Sequence, residues 1–241
     1  MTTPKMIIFD YGQTLIYEHS VDFLRGHIAL SQHIKRNRDN LTPEQINNFS
    51  DKLYNQLLGK VSSGEFELHQ SQAQRFLYEY LGIEYDLSPE EVETMLWDVS
   101  APGAIMPHVD EVLEHINAKG IRSGVISNIS WSGRALTERI NRLLPRNKFE
   151  FIIASSEYMF RKPSPYLFEL ALRKAGLPAS EVWYCGDNAK ADIEGAAAVG
   201  IFPVWYEEAT IVDPWRRNAG GSVPQVEHLR IQSWLELIET I

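Results

Sequence analysis

The second half of the chain alternates between apolar runs and amphipathic stretches, and this alternation limits the folds open to it. Short apolar runs between helical segments are typical of parallel strands joined by crossover helices. Gly120, Gly176 and Gly200 follow three of the helical stretches, as is usual at helix C-termini. We therefore predict an α/β fold with a doubly wound parallel sheet covered by helices on both faces. The predicted helices cover 108–119, 132–143, 165–175, 189–199 and a segment from Ser233, and the predicted strands cover 121–127, 149–154, 182–186, 202–206 and 229–231, with a loop over 216–225.

The segment between the first strand and Pro107 has a different, helical pattern. After a short strand at 6–10, the stretch 20–97 shows helical periodicity and contains no convincing strand. Capping-box spacing at 42–45 (Thr-Pro-Glu-Gln) and a Ser-Pro-Glu-Glu sequence at 88–91 indicate two helix starts. We interpret 18–97 as an all-helical cap domain inserted into a core domain made of 1–17 and 98–241. The first cap helix is expected after Ser20, with Phe23, Leu24, Ile28 and Ile34 on its apolar face.

Charge and composition argue against several classes of protein. The chain has 241 residues and a formal net charge of −9, whereas a nucleic-acid-binding surface needs a concentrated basic face. No stretch reaches the roughly twenty apolar residues of a membrane span, and the N-terminus lacks the apolar segment of a signal peptide. The single cysteine, Cys185, lies in an apolar run and is expected in the core of a protein from a reducing compartment. These features predict a cytoplasmic monomer or homodimer that binds neither nucleic acid nor membrane.

Polar residues follow several predicted strands at the point where each strand ends. Asp10 follows the first strand, Ser127 ends the next core strand, and Asp187 follows a third. Because ligands of open parallel sheets bind beyond the carboxyl ends of the strands, these side chains should meet at one edge. Lys162 precedes a helix that begins with proline and adds a positive charge. Carboxylates, a hydroxyl and an ammonium at one edge predict a site for a phosphate group and a metal ion.

Four short stretches carry a resemblance to a known family. They are Ile-Ile-Phe-Asp-Tyr-Gly-Gln-Thr-Leu at 7–15, Val-Ile-Ser-Asn at 125–128, Arg-Lys-Pro at 161–163 and Gly-Asp-Asn-Ala-Lys-Ala-Asp at 186–192. In content and order they resemble the motifs of the haloacid dehalogenase-like (HAD) hydrolase superfamily, in the version with a helical C1-type cap. The resemblance implies a Rossmann-like core. It also implies the activity of most members, which are Mg²⁺-dependent phosphatases that work through an aspartyl-phosphate.

The resemblance assigns catalytic and phosphate-binding roles. Asp10 takes the position of the nucleophile, and a carboxylate can attack phosphorus and divide hydrolysis into two easier displacements. Ser127 corresponds to the hydroxyl that holds a phosphoryl oxygen, and Asn128 is expected to shape that loop and to lie beside the phosphate. Lys162 corresponds to the family's cation, which offsets charge next to Asp10. The predicted catalytic residues are thus Asp10, Ser127 and Lys162, and the predicted phosphate ligands are Ser127, Asn128 and Lys162.

The resemblance also implies a magnesium site. Asp187 and Asp192 correspond to the family's metal-binding carboxylates, and oxygen ligands of this kind suit Mg²⁺. Asp10 and the backbone carbonyl of Gly12 are implied to complete the protein's ligands, so that the ion neutralises both nucleophile and substrate. For Asp192 a second interpretation stays open, in which the carboxylate interacts favourably with the positive end of the helix dipole at a helix N-terminus. Thr14 is implied to brace the first loop by hydrogen bonding.

The first motif departs from the family pattern at two positions. Phosphatases of the family usually carry a second Asp two residues after the nucleophile, and this Asp protonates the leaving alcohol and activates the hydrolytic water. Here Gly12 stands in its place, and Gln13 stands where Gly is usual. A positioned general acid contributes about 10²–10⁴-fold. Its loss leaves three explanations: a leaving group that needs little protonation, such as that of an anomeric or acyl phosphate, a donor from elsewhere, or loss of turnover. The alternative donors in the sequence are Glu18, His19 and His69.

Other chemistries of the same superfamily fit less well. The true dehalogenases have Tyr and Gly after the nucleophile in a different register and lack the first carboxylate of the fourth motif, whereas Asp187 is present here. A carbon–phosphorus hydrolase needs a cap lysine, for which Lys35, Lys52 and Lys60 are candidates. The favoured hypothesis is a Mg²⁺-dependent hydrolase of a small phosphorylated metabolite, such as a sugar phosphate. The alternatives are a protein that binds a phosphorylated ligand without efficient turnover and, with less support, an oligomerising cap.

Overall fold

A six-stranded parallel sheet forms the centre of the protein in the computed structural model, which describes residues 3–61, 66–207 and 223–241. Its strand order is β10-β9-β8-β1-β6-β7, and β1 pairs in parallel with both β6 and β8. The strands are β1 (Met6–Phe9), β2 (Ile16–Glu18), β3 (Ile34–Asn37), β4 (Ile83–Tyr85), β5 (Gly103–Ile105), β6 (Arg122–Ser127), β7 (Phe149–Ala154), β8 (Val182–Gly186), β9 (Phe202–Tyr206) and β10 (Leu229–Ile231).

Helices cover both faces of this sheet and build the inserted segment. None of the described helices is long and apolar enough to cross a bilayer. The helices are α1 (Phe23–Ser31), α2 (Pro43–Val61), α3 (Gln70–Leu81), α4 (Pro89–Ser100), α5 (Val109–Ala118), α6 (Gly133–Leu143), α7 (Ser155–Tyr158), α8 (Pro165–Ala175), α9 (Gly195–Ala198) and α10 (Trp234–Thr240), with a 3₁₀ turn at Ala179–Glu181 and a π-helical turn at Ala189–Glu194.

The position of strand β1 in the sheet explains why its sequence is apolar throughout. Met6 and Ile8 pack into one core cluster, whereas Ile7 and Phe9 pack into another on the opposite face of the sheet. All four side chains are completely buried, as expected for a strand covered by helices on both sides. The chain adds β6 and β7 on one side of β1 and β8, β9 and β10 on the other, so β1 lies where the winding reverses. Crevices for ligands form at such reversal points, beyond the carboxyl ends of the strands.

The core confirms the predicted doubly wound parallel sheet. Each strand predicted after Pro107 is present within one residue of its expected bounds. The predicted helix at 189–199 is instead a wide π-helical turn followed by a short α-helix. The Asn188 side chain accepts hydrogen bonds from the amides of Lys190 and Ala191, and the amide of Ile193 reaches back to the Asn188 carbonyl. The predicted loop at 216–225 lies mostly outside the described residues.

The prediction that the inserted segment is all-helical was wrong. Strands β3 and β4 pair as an antiparallel ribbon between its helices, with Ile34 opposite Tyr85. Ile34 therefore begins a strand and does not belong to the first helix, whose N-cap is Asp22. The ribbon escaped prediction because β3 carries one apolar residue, and its Arg36 pairs with Glu84 at the surface. The cap boundaries at 18–97 stay a prediction, and α4 itself continues to Ser100.

A buried arginine fastens the two connections between the sheet and the inserted segment. These connections pair as β2 and β5. Arg139, on α6, is 1% exposed and donates from Nη1 to Asp98 Oδ1 at 2.8 Å and from Nη2 to Glu18 Oε1 at 3.3 Å and the Ala101 carbonyl. Its guanidinium lies 4.3 Å from the ring centroid of Trp97. The inserted segment is thus held to the core by charge as well as by packing.

Replacing Arg139 by methionine tests this attachment. We expect Arg139→Met to lower the free energy of unfolding by about 3 kcal/mol in urea denaturation, because the half-buried carboxylates of Glu18 and Asp98 lose the buried cation that faces them. Arg75→Met is the matched control, since Arg75 is exposed and its pair with Glu79 contributes less than about 1 kcal/mol. Equal, small losses in both variants would contradict this account of the attachment.

Candidate functional site

A cavity of about 380 Å³ lies at the carboxyl ends of β1, β6 and β8 and is lined on its other side by residues of the inserted segment. All the residues that the sequence analysis assigned to the site line this cavity. They are Asp10, Gly12, Ser127, Asn128, Lys162, Asp187 and Asp192. The sheet explains their proximity, because Asp10 follows β1, and its two neighbouring strands deliver Ser127 and Asp187 on either side.

Asp10 is fixed at the base of the cavity. Its backbone amide donates to the Cys185 carbonyl at 2.8 Å, which continues the ladder between β1 and β8. Its Oδ1 accepts a hydrogen bond from Lys162 Nζ at 2.6 Å, and Thr14 Oγ1 approaches Oδ2 at 3.5 Å. Thr14 therefore braces this loop as expected. Asp10 is 8% exposed, so its carboxylate is accessible only from the cavity.

The Lys162 ammonium joins the carboxylates of two motifs. Nζ donates to both Asp10 Oδ1 and Asp192 Oδ1 at 2.6 Å, and the Ile126 carbonyl lies 3.1 Å from it. Burial alone lowers the Lys162 pKa, but attraction to Asp10 and Asp192 outweighs burial and leaves the pKa raised. Lys162 therefore stays positively charged. The Tyr184 hydroxyl accepts a further hydrogen bond from Nζ at 2.6 Å and reaches the Ile126 carbonyl at 3.1 Å.

Asn128 positions the backbone that carries Lys162. Its Oδ1 accepts from the Lys162 amide at 2.7 Å, and its Nδ2 donates to the Lys162 carbonyl at 2.8 Å. This paired contact joins the loop after β6 to the loop before α8 and uses both ends of the side-chain amide. Loop shaping is one of the two roles that the sequence suggested for Asn128. Its role as a phosphate ligand stays a prediction.

Three carboxylates form an acidic cluster next to the lysine. Single oxygen atoms of Asp10, Asp187 and Asp192 all lie within 4.8 Å of one another. Burial, followed by repulsion from Asp192, raises the pKa of Asp10 to about 6 even though Lys162 opposes the shift. Burial and the two neighbouring carboxylates raise the pKa of Asp187 well above its ordinary value. Hard oxygen donors that repel one another in a buried site fit a divalent cation such as Mg²⁺.

The carboxylates of this cluster differ in how far other protein groups already engage their oxygen atoms. Asp192 Oδ1 accepts from Lys162, and its Oδ2 accepts from the Asn188 amide at 2.9 Å. Asp192 therefore holds Lys162 and the fourth motif in place, whereas Asp10 Oδ2 makes a long contact of 3.5 Å with Thr14 and is not held by Lys162. A methyl group added at Gly12 would meet no atom within 4 Å, so the site is open where the family's second Asp usually stands.

The structure also adds site residues that the sequence analysis did not identify. Glu67, from the segment before α3, accepts hydrogen bonds from Arg161 Nη1 at 2.6 Å and from Ser155 Oγ at 2.7 Å. Both Glu67 and Arg161 line the cavity. Tyr184 lies in β8 among buried residues, and the alternation along β8 directs its ring to the side of Lys162. Neither Glu67 nor Tyr184 has a sequence signal, because a lone glutamate before a helix and a tyrosine in an apolar run are ordinary.

The three residues considered as substitutes for the missing general acid lie in different environments. Glu18 lines the cavity but accepts hydrogen bonds from Trp97 and Arg139. His69 is the N-cap of α3, where its ring accepts from the Ser71 amide, and His19 is exposed. Neither histidine lines the cavity.

The lysines suggested for carbon–phosphorus chemistry gain no support. Lys35 and Lys52 are exposed, and neither is among the described residues that line the cavity. The side chain of Lys60 lies outside the described part of the structure. Cys185 is completely buried, and burial raises the pKa of its thiol well above the ordinary value. This confirms the prediction of a core residue at that position.

Comparisons with known proteins agree with this geometry. The family model for haloacid dehalogenase-like hydrolases matches residues 4–200. The human protein named haloacid dehalogenase-like hydrolase domain-containing protein 3 is 30% identical over 125 residues, which are 52% of this chain and 47% of that protein. Glyceraldehyde 3-phosphate phosphatase of Pyrococcus abyssi is 33% identical over 136 residues, which are 56% of this chain and 55% of that protein. The matched segments thus span about half the length of these relatives.

The fold is also shared with solved structures. An HAD phosphatase from Thermococcus onnurineus superposes with a TM-score of 0.62 at 17% sequence identity, over 98% of this chain and 96% of that chain. At this identity the likeness concerns the fold. The family model, by contrast, covers most of the sequence, including all four motifs. This chain belongs to the haloacid dehalogenase-like hydrolase family.

Proposed function

We propose that the protein is a Mg²⁺-dependent phosphatase that hydrolyses a small phosphorylated metabolite, such as a sugar phosphate, through phosphorylated Asp10. The observation that carries this proposal is the cluster at the base of the cavity. There a buried ammonium lies 2.6 Å from the Asp10 carboxylate, and two further carboxylates lie within reach of one cation. The similarity to a protein named glyceraldehyde 3-phosphate phosphatase points to the same substrate class.

Each residue has a defined task in this reaction. An Asp10 carboxylate oxygen forms a bond to phosphorus as the bond from phosphorus to the leaving oxygen breaks, and water then cleaves the acyl phosphate. Lys162 and the Ser127 hydroxyl hold phosphoryl oxygens, and Asp192 with Tyr184 keeps Lys162 in position. Asp10, Asp187 and the Gly12 carbonyl would hold a divalent cation, whose positive charge would allow one anion to approach another.

The first test removes the nucleophile. Asp10→Asn is expected to lower phosphate release from a panel of phosphomonoesters with Mg²⁺ by at least about 10³-fold, because an amide cannot form the covalent intermediate. Asp39→Asn, on the surface of the inserted segment, is the matched control and should keep normal activity. Unchanged turnover in Asp10→Asn would contradict the mechanism.

The second test restores the carboxylate that the family usually has. Because the space beside Gly12 is open, Gly12→Asp should fold and raise kcat by about 10²–10⁴-fold for esters with poor leaving groups. Gly12→Asn has the same shape without a transferable proton and serves as control. An equal effect of both substitutions would show that proton donation at this position does not limit turnover.

The third test uses the raised pKa of Asp10. The Asp10 pKa of about 6 in the folded protein lies above the ordinary 3.8. Between these two pH values the folded state therefore holds the Asp10 proton more tightly than the unfolded state does. In EDTA this contribution to stability is present at low pH and is lost as pH rises through about 6. We expect Mg²⁺ to raise the melting temperature at pH 8 and to lose this effect near pH 5, since its ligands are then protonated.

Asp10→Asn is the control for this titration. In EDTA, the melting temperature of the wild type relative to Asp10→Asn should fall between pH 5 and pH 8, because only the wild type loses that bound proton. A relative rise over the same range would mean that the Asp10 pKa is lowered in the folded protein. Thermal melts monitored by circular dichroism provide the measurement.

The open position at Gly12 also favours a second candidate function. Without a general acid the same pocket can bind a phosphorylated ligand and release it unchanged. Titration calorimetry that shows Mg²⁺-dependent binding of phosphorylated metabolites, together with no phosphate release from any of them, would favour this function over catalysis.

A further inference from the structure

Gln13 has a backbone conformation that its side chain does not favour. Its φ is 58°, in the left-handed region, which is unfavourable for a residue with a side chain. The turn after β1 imposes this conformation, since the Gln13 amide donates to the Ile16 carbonyl at 2.8 Å and the amides of Leu15 and Ile16 both reach the Tyr11 carbonyl. A glycine would take this conformation without strain. Fold stability therefore gives no reason for glutamine here.

The Gln13 side chain also contains an unsatisfied polar atom. Its Oε1 is buried and has no hydrogen-bond partner among the described residues, and the residue lines the cavity beside Asp10. A buried carbonyl oxygen that lacks a hydrogen-bond donor destabilises the folded state. Next to it, the position of Gly12 leaves an open space at the base of the cavity. Strain and an unpaired acceptor at one residue of a ligand cavity indicate a role in binding rather than in folding.

The rest of the cavity indicates what kind of donor this carbonyl meets. The cavity wall on the side of the inserted segment includes uncharged polar side chains from α2 and α3, namely Ser50, Tyr54 and Gln70. The aromatic rings of Phe23, Trp97 and Trp131 form an apolar wall, in which Trp97 and Trp131 stack at 5.0 Å. Uncharged polar groups beside aromatic rings suit a ligand with both hydroxyl groups and carbon surface.

Charge disfavours a second anionic group in the leaving portion of the substrate. Beyond the acidic cluster, the cavity is also lined by the carboxylates of Asp51, of Glu18, which pairs with Arg139, and of Glu67. The cationic side chains among its described lining residues are Lys162, held by Asp10 and Asp192, and Arg161, paired with Glu67 at 2.6 Å. A carboxylate or second phosphate on the substrate would therefore meet like charge.

We propose that Gln13 determines substrate specificity: with its side-chain amide turned toward the cavity, the Gln13 carbonyl accepts a hydrogen bond from a hydroxyl of the leaving group, which selects phosphate monoesters of small uncharged polyols and sugars. This inference rests on the proposed phosphatase function and names its substrate class. In this proposal Gln13 contacts the leaving group of the substrate and does not contact the transferred phosphoryl group. The strain at Gln13 is then the cost of placing an acceptor at this point in the cavity.

The test compares three phosphates of three-carbon compounds. Glycerol 1-phosphate carries hydroxyls, n-propyl phosphate lacks them, and 3-phosphoglycerate adds a carboxylate. With Mg²⁺, the wild type should show the highest kcat/KM for glycerol 1-phosphate. Gln13→Met has similar length and no acceptor, so it should reduce the ratio of kcat/KM for glycerol 1-phosphate over propyl phosphate by about tenfold or more. Equal losses on both esters, or a wild-type preference for propyl phosphate or 3-phosphoglycerate, would overturn the inference.

A second variant separates binding from folding. Gln13→Gly removes the strain, so it should raise the melting temperature while it abolishes the preference for the hydroxylated ester. Asn40→Gly is the matched control, because Asn40 also has a positive φ, of 53°, in the turn before α2. This control should leave the preference unchanged. A Gln13→Gly protein that is less stable than the wild type, with its preference intact, would make Gln13 a structural residue and refute the proposal.

Failure of the proposed function can be distinguished from failure of this inference. If the wild type releases phosphate neither from these three esters nor from the wider panel of phosphomonoesters, the phosphatase proposal fails, and calorimetric affinities for the three compounds replace kcat/KM. The expected result is then at least tenfold tighter binding of glycerol 1-phosphate than of propyl phosphate, lost in Gln13→Met. Equal affinities would overturn the role of Gln13 as well.

Discussion

The site depends on one buried contact, the Lys162 ammonium between Asp10 and Asp192. Nζ lies 2.6 Å from a carboxylate oxygen of each, and burial makes any of these charges costly without the others. Removing one partner of such a buried pair costs about 3–5 kcal/mol. With Asp187 nearby, three carboxylates face one ammonium, and the raised pKa values of Asp10 and Asp187 reflect this excess of negative charge as well as burial. A divalent cation would offset it.

The sheet delivers these groups for a simple geometric reason. Asp10 follows the strand at which the winding reverses, and the strands on either side end at Ser127 and just before Asp187. The same arrangement was predictable from the sequence, because each polar residue follows an apolar run and parallel strands end at a common edge. Lys162 lies in a loop, so its place at the site followed from the family resemblance. The wide turn that carries Asp192 was not predictable, because its capping by Asn188 is a local contact without a periodic signal.

Other features escaped prediction because they depend on tertiary contacts. Strand β3 has a single apolar residue and β4 is only three residues long, so neither shows an alternation long enough to indicate a strand, and they exist because they pair with each other. In the sequence Tyr184 has the pattern of a core residue, and only the fold shows that its hydroxyl contacts Lys162. Glu67 likewise has the pattern of a surface residue, and only the fold shows its contact with Arg161. Gln13 stood out in the sequence only as a departure from glycine. The positive φ and the unpaired oxygen that give this departure its meaning are properties of the folded turn.

Phosphorylation of Asp10 can be tested by trapping the phosphorylated protein. The wild-type protein would be mixed with Mg²⁺ and a hydrolysed phosphomonoester, quenched in acid within milliseconds, digested and analysed by mass spectrometry. We expect one added phosphoryl group on the peptide that contains residues 6–15, and hydroxylamine should cleave it as an acyl phosphate. Rapid phosphate release with no such peptide at any quench time, or with the phosphoryl group on another residue, would contradict it.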